Sequence, residues 1–262
     1  MKRIIAIANQ KGGVGKTTTA INLSACMAES GKKVLCVDMD PQGNTTSGLG
    51  VDKAGLEHSI YDVLLDEIEA SEAVVHTEMK KLDVLPSTVD LTGAEVELLA
   101  FDDKEFLLRG KIEAIREKYD YILIDCPPSL SVLTVNALAA ANTVLIPIQC
   151  EFYALEGLSQ LLHTVQLIQE RLNPDLQPEG IVFTMFDSRT NLANDVVSSV
   201  ENNLHLHIYK TKIPRNVRLA EAPSYGQPIP IYAPHSSGAK SYRKLAKEVM
   251  KRKGLNKESK GD

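Results

Sequence analysis

The chain is 262 residues long, carries a net charge of −5, and is 44% hydrophobic with no tryptophan and 5% aromatic residues. Such a length allows one large α/β domain or two small ones, and the aliphatic bias suits a parallel sheet covered by helices. No apolar run approaches the ~20 residues with which a helix crosses a bilayer, and Cys26, Cys36, Cys126 and Cys150 lie far apart with no C-x-x-C pair, so neither a membrane-spanning helix nor a disulfide scaffold is expected.

The expected chain is therefore soluble, unprocessed and cytoplasmic, with buried reduced thiols. Its charge is uneven. Residues 205–262 hold 13 Lys/Arg against 4 Asp/Glu, a net of +9, while the first 204 residues hold 16 basic and 30 acidic groups, a net of −14. The basic part is local and C-terminal.

In chain order, β-branched runs predict strands over 3–8, 33–38, 82–86, 121–125, 143–148, 180–185 and 208–213. Helical periodicity predicts helices over 17–30, with Gly31 as a stop, and over 104–118, 155–172 and 239–253. Several strands are apolar without alternation, as in Ile4-Ile5-Ala6-Ile7 and Tyr121-Ile122-Leu123-Ile124. Both faces of the sheet should then be covered, which gives an α/β fold: a mostly parallel central sheet flanked by helices on both faces. No repeat or linker divides the chain, so one domain is expected over 1–253, followed by a polar tail at 254–262.

The first strand runs directly into Lys11-Gly12-Gly13-Val14-Gly15-Lys16-Thr17-Thr18, which opens a helix. That is the context of a phosphate-binding loop. Glycines let the backbone wrap closely and aim N–H groups at a triphosphate, while the helix N-terminus adds its positive dipole. Lys16 supplies a point charge for the β and γ phosphates, Thr17 a hydroxyl ligand for Mg²⁺, and Thr18 a donor for an α-phosphate oxygen.

Asp38 and Asp40 follow the second strand, and Asp125 ends the strand over 121–125. Carboxylates at the C-terminal ends of strands belong at an α/β active site. Because Mg²⁺ keeps several waters, Thr17 held directly and Asp125 through water form a reasonable shell, with Asp125 in the Walker B role.

With its early Lys11, the loop K-G-G-V-G-K-T-T resembles the deviant Walker A signature of the ParA/MinD group of ATPases. The resemblance implies that Lys11 reaches across a dimer interface to the partner's phosphates, so that ATP binding, dimerisation and hydrolysis are linked. V-D-M-D-P-Q-G-N is similar to the family's switch I, which implies that Asp40 positions or activates the attacking water and that Asp38 supports the metal shell. D-C-P-P-S is similar to switch II. The segment 212–223 resembles the family's base-binding region, making Pro214 and Asn216 expected adenine contacts, with Met185 as one wall of that pocket.

Over 1–251 the chain resembles partition ATPases of the ParA/Soj type, through NQKGGVGKTTTAINL, DCPPSLSVLTVNAL, CEFYALEGLSQL and IPRNVRLAEAPSYGQPI. The family implies ATP and ADP as nucleotides with Mg²⁺ and an ATP-dependent homodimer. It further implies nonspecific binding of double-stranded DNA, release through hydrolysis stimulated by a ParB-type centromere-binding protein, and association with the nucleoid.

Arg189, Arg215 and Arg218 are the expected DNA contacts. Lys240, Arg243, Lys244, Lys247 and Lys251 join them at spacings of three and four, as on one helix face. A chain that starts almost at its first strand, without a helix-turn-helix extension, is expected to lack sequence-specific binding. A MinD-like membrane ATPase is a weaker reading, because residues 251–258 contain one leucine where an amphipathic anchor needs several bulky apolar groups. No membrane partner is therefore expected. A metabolic P-loop enzyme is the other alternative.

Overall fold

The computed structural model describes residues 2–151 and 154–252; the expected tail at 254–262 lies outside them. Within the described residues one sheet of seven strands forms: β1 Arg3–Ile7, β2 Val34–Asp38, β3 Val75–His76, β4 Leu82–Leu85, β5 Tyr121–Asp125, β6 Thr143–Gln149 and β7 Gln177–Thr184. The strand order is β3-β4-β2-β5-β1-β6-β7, and only the short β3 runs antiparallel to its neighbour. The expected mostly parallel sheet is present.

Alternation within the buried strands divides the core between two faces. Ile4 and Ala6, Leu35 and Val37, Ile122 and Ile124, and Val144 and Ile146 point to one side, where the helices Leu107–Ile115, Val132–Ala140, Ala154–Arg171 and Asn191–Asn203 pack. Ile5 and Ile7, Val34 and Cys36, and Leu123 and Leu145 point to the other, under the helices Lys16–Glu29 and Ser237–Lys251. Both faces exclude water, which is why the strand sequences read as continuous apolar runs. Cys26, Cys36 and Cys126 are buried free thiols within this core, and Cys150 is half-buried.

Register fixes where chemistry emerges. Asp38 on β2 is level with Asp125 on β5, and Asp125 is level with Ile7 on β1, the last strand residue before the phosphate loop. Both carboxylates and the loop therefore share one edge of the sheet.

Two expected strands are corrected. The strand expected over 180–185 begins earlier, at Gln177, and stops at Thr184; Met185 lies beyond it with φ 48°, a left-handed turn residue. No regular strand forms over 208–213, which meets β7 at separate points: an isolated bridge pairs Ile208 with Ile181, the Tyr209 N–H donates to the Ile181 carbonyl at 2.9 Å, and the Ile213 N–H donates to the Phe183 carbonyl at 2.8 Å. The Lys210 N–H donates instead to Glu248 at 3.0 Å, drawing the segment toward the C-terminal helix. That helix starts two residues earlier than expected because the Ser236 hydroxyl accepts from the Ala239 N–H at 3.1 Å and caps it.

A bulge between β6 and β7 inserts Glu179 opposite Val144 and Leu145. It turns the Glu179 carboxylate into the core, where Arg3 pairs with it and the Tyr209 hydroxyl donates to it at 2.7 Å. Arg3 also donates to the Val249 carbonyl at 2.8 Å, joining β1 to the last helix. A buried charge is stable only when so partnered.

Candidate nucleotide site

The loop after β1 is held at two points from outside and braced once within itself. Asn9 donates its amide to the Pro147 carbonyl at 2.8 Å and accepts the Lys11 N–H at 3.0 Å. Thr184, at the end of β7, donates its hydroxyl to the Val14 carbonyl at 2.7 Å. The loop closes through Gly13 and Gly15, at φ 75° and 87°, positions that residues with a Cβ rarely adopt. Gly12 and Gly13 face open space, whereas a Cβ at Gly15 would lie 3.6 Å from Thr184. Helix Lys16–Glu29 begins immediately afterwards, with Thr17 and Thr18 in its first turn.

Lys16 is buried, and its ammonium donates to the Lys11 carbonyl at 3.1 Å. Burial lowers its pKa, while the charge of Asp125 acts in the opposite direction. Lys11 itself reaches sideways and pairs with Glu151 after the end of β6. Two lysines of one loop thus meet different partners.

Asp125 is fully buried. One oxygen accepts the Thr45 hydroxyl at 2.8 Å, and the other has no hydrogen-bond partner among the described residues. Burial raises its pKa first and repulsion from Asp38 second; the Thr45 and Thr17 hydroxyls pull it back. An orphaned buried carboxylate oxygen beside a threonine hydroxyl at a helix N-terminus fits the demand of Mg²⁺ for few protein oxygens.

Asp38 is equally buried but fully engaged. One oxygen accepts the Thr46 N–H at 2.8 Å and the Thr46 hydroxyl at 2.7 Å, and the other accepts the Asp40 N–H at 3.2 Å. Burial raises its pKa, and the Thr46 bonds oppose the shift. Thr46 is fixed in turn by the Ser87 N–H at 2.9 Å. Asp38 therefore anchors the segment that carries Asp40, which is half-exposed and accepts the Gln42 N–H at 2.9 Å.

Thr45, Thr46, Thr184 and Glu151 were not singled out by sequence reasoning. The hydroxyl pair directly after V-D-M-D-P-Q-G-N was an available signal. Thr184 and Glu151 act through strands distant in sequence, and no local pattern marks them.

The expected base-binding residues lie around the end of β7. Phe186 bridges Pro214, next to the half-buried Met185. The Asn216 side chain accepts the Arg218 N–H at 2.8 Å, capping helix Val217–Glu221, and donates to Ser237 at 2.6 Å.

The cationic residues separate into two groups. Lys240, Lys244, Lys247 and Lys251 are exposed, and their spacing of four, three and four puts them on one stripe of helix Ser237–Lys251. Arg243 departs from that stripe: its guanidinium turns inward and meets both oxygens of Glu29, at 2.7 and 2.8 Å. Arg189 lies exposed in a two-bond pair with Asp187, Arg218 pairs with Glu221 at 2.9 Å, and Arg215 is exposed.

Comparison with known proteins agrees with this geometry. An AAA domain family matches residues 2–178. The sporulation initiation inhibitor protein Soj of Bacillus subtilis (strain 168) is 56% identical over 249 residues, which span 95% of this chain and 98% of that one. The chromosome partitioning protein ParA of Myxococcus xanthus (strain DK1622) is 55% identical over 250 residues, 95% of this chain and 88% of that one. The chain belongs to the ParA/Soj family of chromosome-partitioning ATPases.

The ParA/Soj fold also matches a crystal structure of cobyrinic acid a,c-diamide synthase from Mycobacterium smegmatis with bound ADP and magnesium. The TM-score is 0.85 at 40% identity, covering 95% of this chain and 94% of that one. No helix among the described residues is long and apolar enough to cross a membrane.

Proposed function

We propose that this ParA/Soj protein is a single-domain ATPase in which binding of Mg-ATP drives sandwich dimerisation and nonspecific binding to double-stranded DNA. Hydrolysis stimulated by a ParB-type centromere-binding protein ends that state, so that the protein cycles on and off the nucleoid during DNA segregation. Mg²⁺ would supply charge neutralisation between the β and γ phosphates. Lys16 and the loop N–H groups hold the phosphates, and Thr17 and Asp125 orient the metal shell. Asp38 holds the switch I segment, and Asp40 orients the attacking water. Met185, Pro214 and Asn216 wall the adenine. Lys11 serves the nucleotide of the other subunit.

The observation that carries the DNA reading is the stripe Lys240, Lys244, Lys247 and Lys251, on a helix packed directly against the P-loop helix. Such a stripe neutralises phosphates without reading bases. The test is DNA binding with ATP, ADP and no nucleotide at several salt concentrations. ATP-dependent, salt-sensitive and sequence-indifferent binding is expected, and its absence overturns the reading.

A metabolic ATP-dependent enzyme is the second reading, favoured by the diamide synthase neighbour. Basal turnover discriminates between them. A partition ATPase is slow alone and accelerates with DNA and partner protein, whereas a metabolic enzyme accelerates with its small-molecule substrate.

A further inference from the structure

The main chain of Lys11 is fixed on both sides. Its N–H donates to Asn9, its carbonyl accepts Lys16 at 3.1 Å, and Asn9 is tied to the end region of β6 through Pro147. Only the side chain is free to swing, and in the single subunit it lies against Glu151. Glu151 is held in turn: its N–H donates to the Gln149 carbonyl at 2.9 Å, and its own carbonyl accepts the Ala154 N–H at 3.0 Å as helix Ala154–Arg171 begins. The acid therefore sits on a defined turn, and both members of the pair are partly exposed, at 37% and 42% of the side chain.

We propose that Glu151 is a positioning residue for Lys11: the resting counter-ion that parks the lysine against its own subunit until a partner's triphosphate displaces the carboxylate. This rests on the reading that Lys11 acts across a dimer. An ammonium already paired with a carboxylate has to exchange one anion for another, so the pair opposes dimerisation. A half-exposed ion pair is weak. It acts as a light latch, one that the higher charge of a triphosphate overcomes.

The experiment measures ATP-analogue-dependent dimerisation by sedimentation equilibrium for the wild type, Glu151→Gln, Glu151→Asp, Lys11→Met and the double variant Lys11→Met/Glu151→Gln. Fluorescent-nucleotide affinity is measured in parallel at protein concentrations where each is monomeric. Glu151→Gln is expected to dimerise roughly two- to five-fold more tightly than the wild type, with unchanged monomer nucleotide affinity. Glu151→Asp, which keeps the charge, is expected to stay near the wild type, and the gain should vanish in the Lys11→Met background.

No gain in Glu151→Gln overturns the latch, as does the same gain with Lys11 absent. Wild-type dimerisation in Lys11→Met overturns the trans-acting reading itself. Lys11→Met failing to dimerise while Glu151→Gln behaves as wild type removes only the latch.

Discussion

Thr184 donates its hydroxyl to the main-chain carbonyl of Val14 at 2.7 Å, fastening the phosphate loop to the end of β7. The Val14 side chain is buried, so removing the donor leaves this carbonyl short of a partner in a poorly hydrated place. Thr184→Val, close to isosteric, is expected to weaken nucleotide binding roughly ten-fold and to lower stability by about 1 kcal/mol. Calorimetric titration with ATP and a urea melt check both. Unchanged affinity means the loop holds its shape without β7.

The protonation of Asp125 gives a pH prediction. Burial raises its folded pKa above the unfolded value of about 3.9, so the folded metal-free state binds more protons than the unfolded one. Stability from this group is full below pH ~3.9 and declines as pH rises through the raised folded value. Asp125→Asn cannot acquire that charge. Metal-free Asp125→Asn is expected to be more stable than the wild type near neutral pH, by on the order of 1–3 kcal/mol, with the advantage fading toward pH 4. Thermal melts across pH in chelator measure this. A constant difference at all pH values would mean that ionisation is not its source.

Among the described residues the Asp40 carboxylate accepts only its own loop's Gln42 N–H, so it can be removed without opening the core. Asp40→Ala is expected to retain ATP-dependent dimerisation while turnover falls by about 10²-fold or more, the scale of a lost acid–base group. Phosphate release together with sedimentation decides it. Wild-type turnover in this variant removes Asp40 from the mechanism.

The separation of Arg243 from its neighbouring lysines predicts two kinds of variant. Lys240→Ala, Lys244→Ala and Lys247→Ala should each reduce the slope of log affinity for DNA against log salt by about 1 and leave the melting temperature alone. Arg243→Ala should instead loosen the helix from Glu29, costing about 0.5–1 kcal/mol because the pair is partly exposed, with a smaller change in salt slope.

Gly50 and Gly226 meet back to back: a Cβ on Gly50 would lie 2.9 Å from the Gly226 carbonyl oxygen, and a Cβ on Gly226 would lie 2.9 Å from the Gly50 Cα. Both also have positive φ, 84° and 62°. Through this contact the end of the Asp40 segment abuts the segment carrying Arg215 and Arg218. Either alanine variant is expected to destabilise the protein by more than about 1 kcal/mol. It should also weaken the coupling between ATP and DNA binding, read as the ratio of DNA affinities with and without nucleotide.

Much of this fold was legible in the sequence because its strands are buried on both faces and announce themselves as apolar runs. Val75–His76 was invisible, since two residues carry no period. The segment over 208–213 has the composition of a strand, yet its N–H groups reach β7 at Tyr209 and Ile213 without a regular ladder between them, while Glu248 holds the Lys210 N–H from the other side. The phosphate loop and its carboxylates were legible because glycine, lysine and aspartate at fixed strand ends have few other uses. The helix-cap role of Asn216 had no signal of its own, and Arg243 shares the spacing of the lysines while its guanidinium turns to Glu29. Tertiary partners such as Glu29 and Glu151 decide those roles, and they lie too far along the chain for any local pattern.

The bond from Arg3 to Val249 bears on how the protein is made. The strand Arg3–Ile7 is completed by a helix more than 200 residues further along the chain, and the Tyr242 hydroxyl on that helix lies 3.2 Å from the hydroxyl of Thr19, just behind the phosphate loop. Until Ser237–Lys251 has left the ribosome, Leu23 and Met27 on the P-loop helix lack the Leu245 and Val249 side of their packing. A chain lacking Ser237–Lys251 therefore leaves an apolar flank of the P-loop helix uncovered, which favours capture by chaperones and proteases over a folded ATPase.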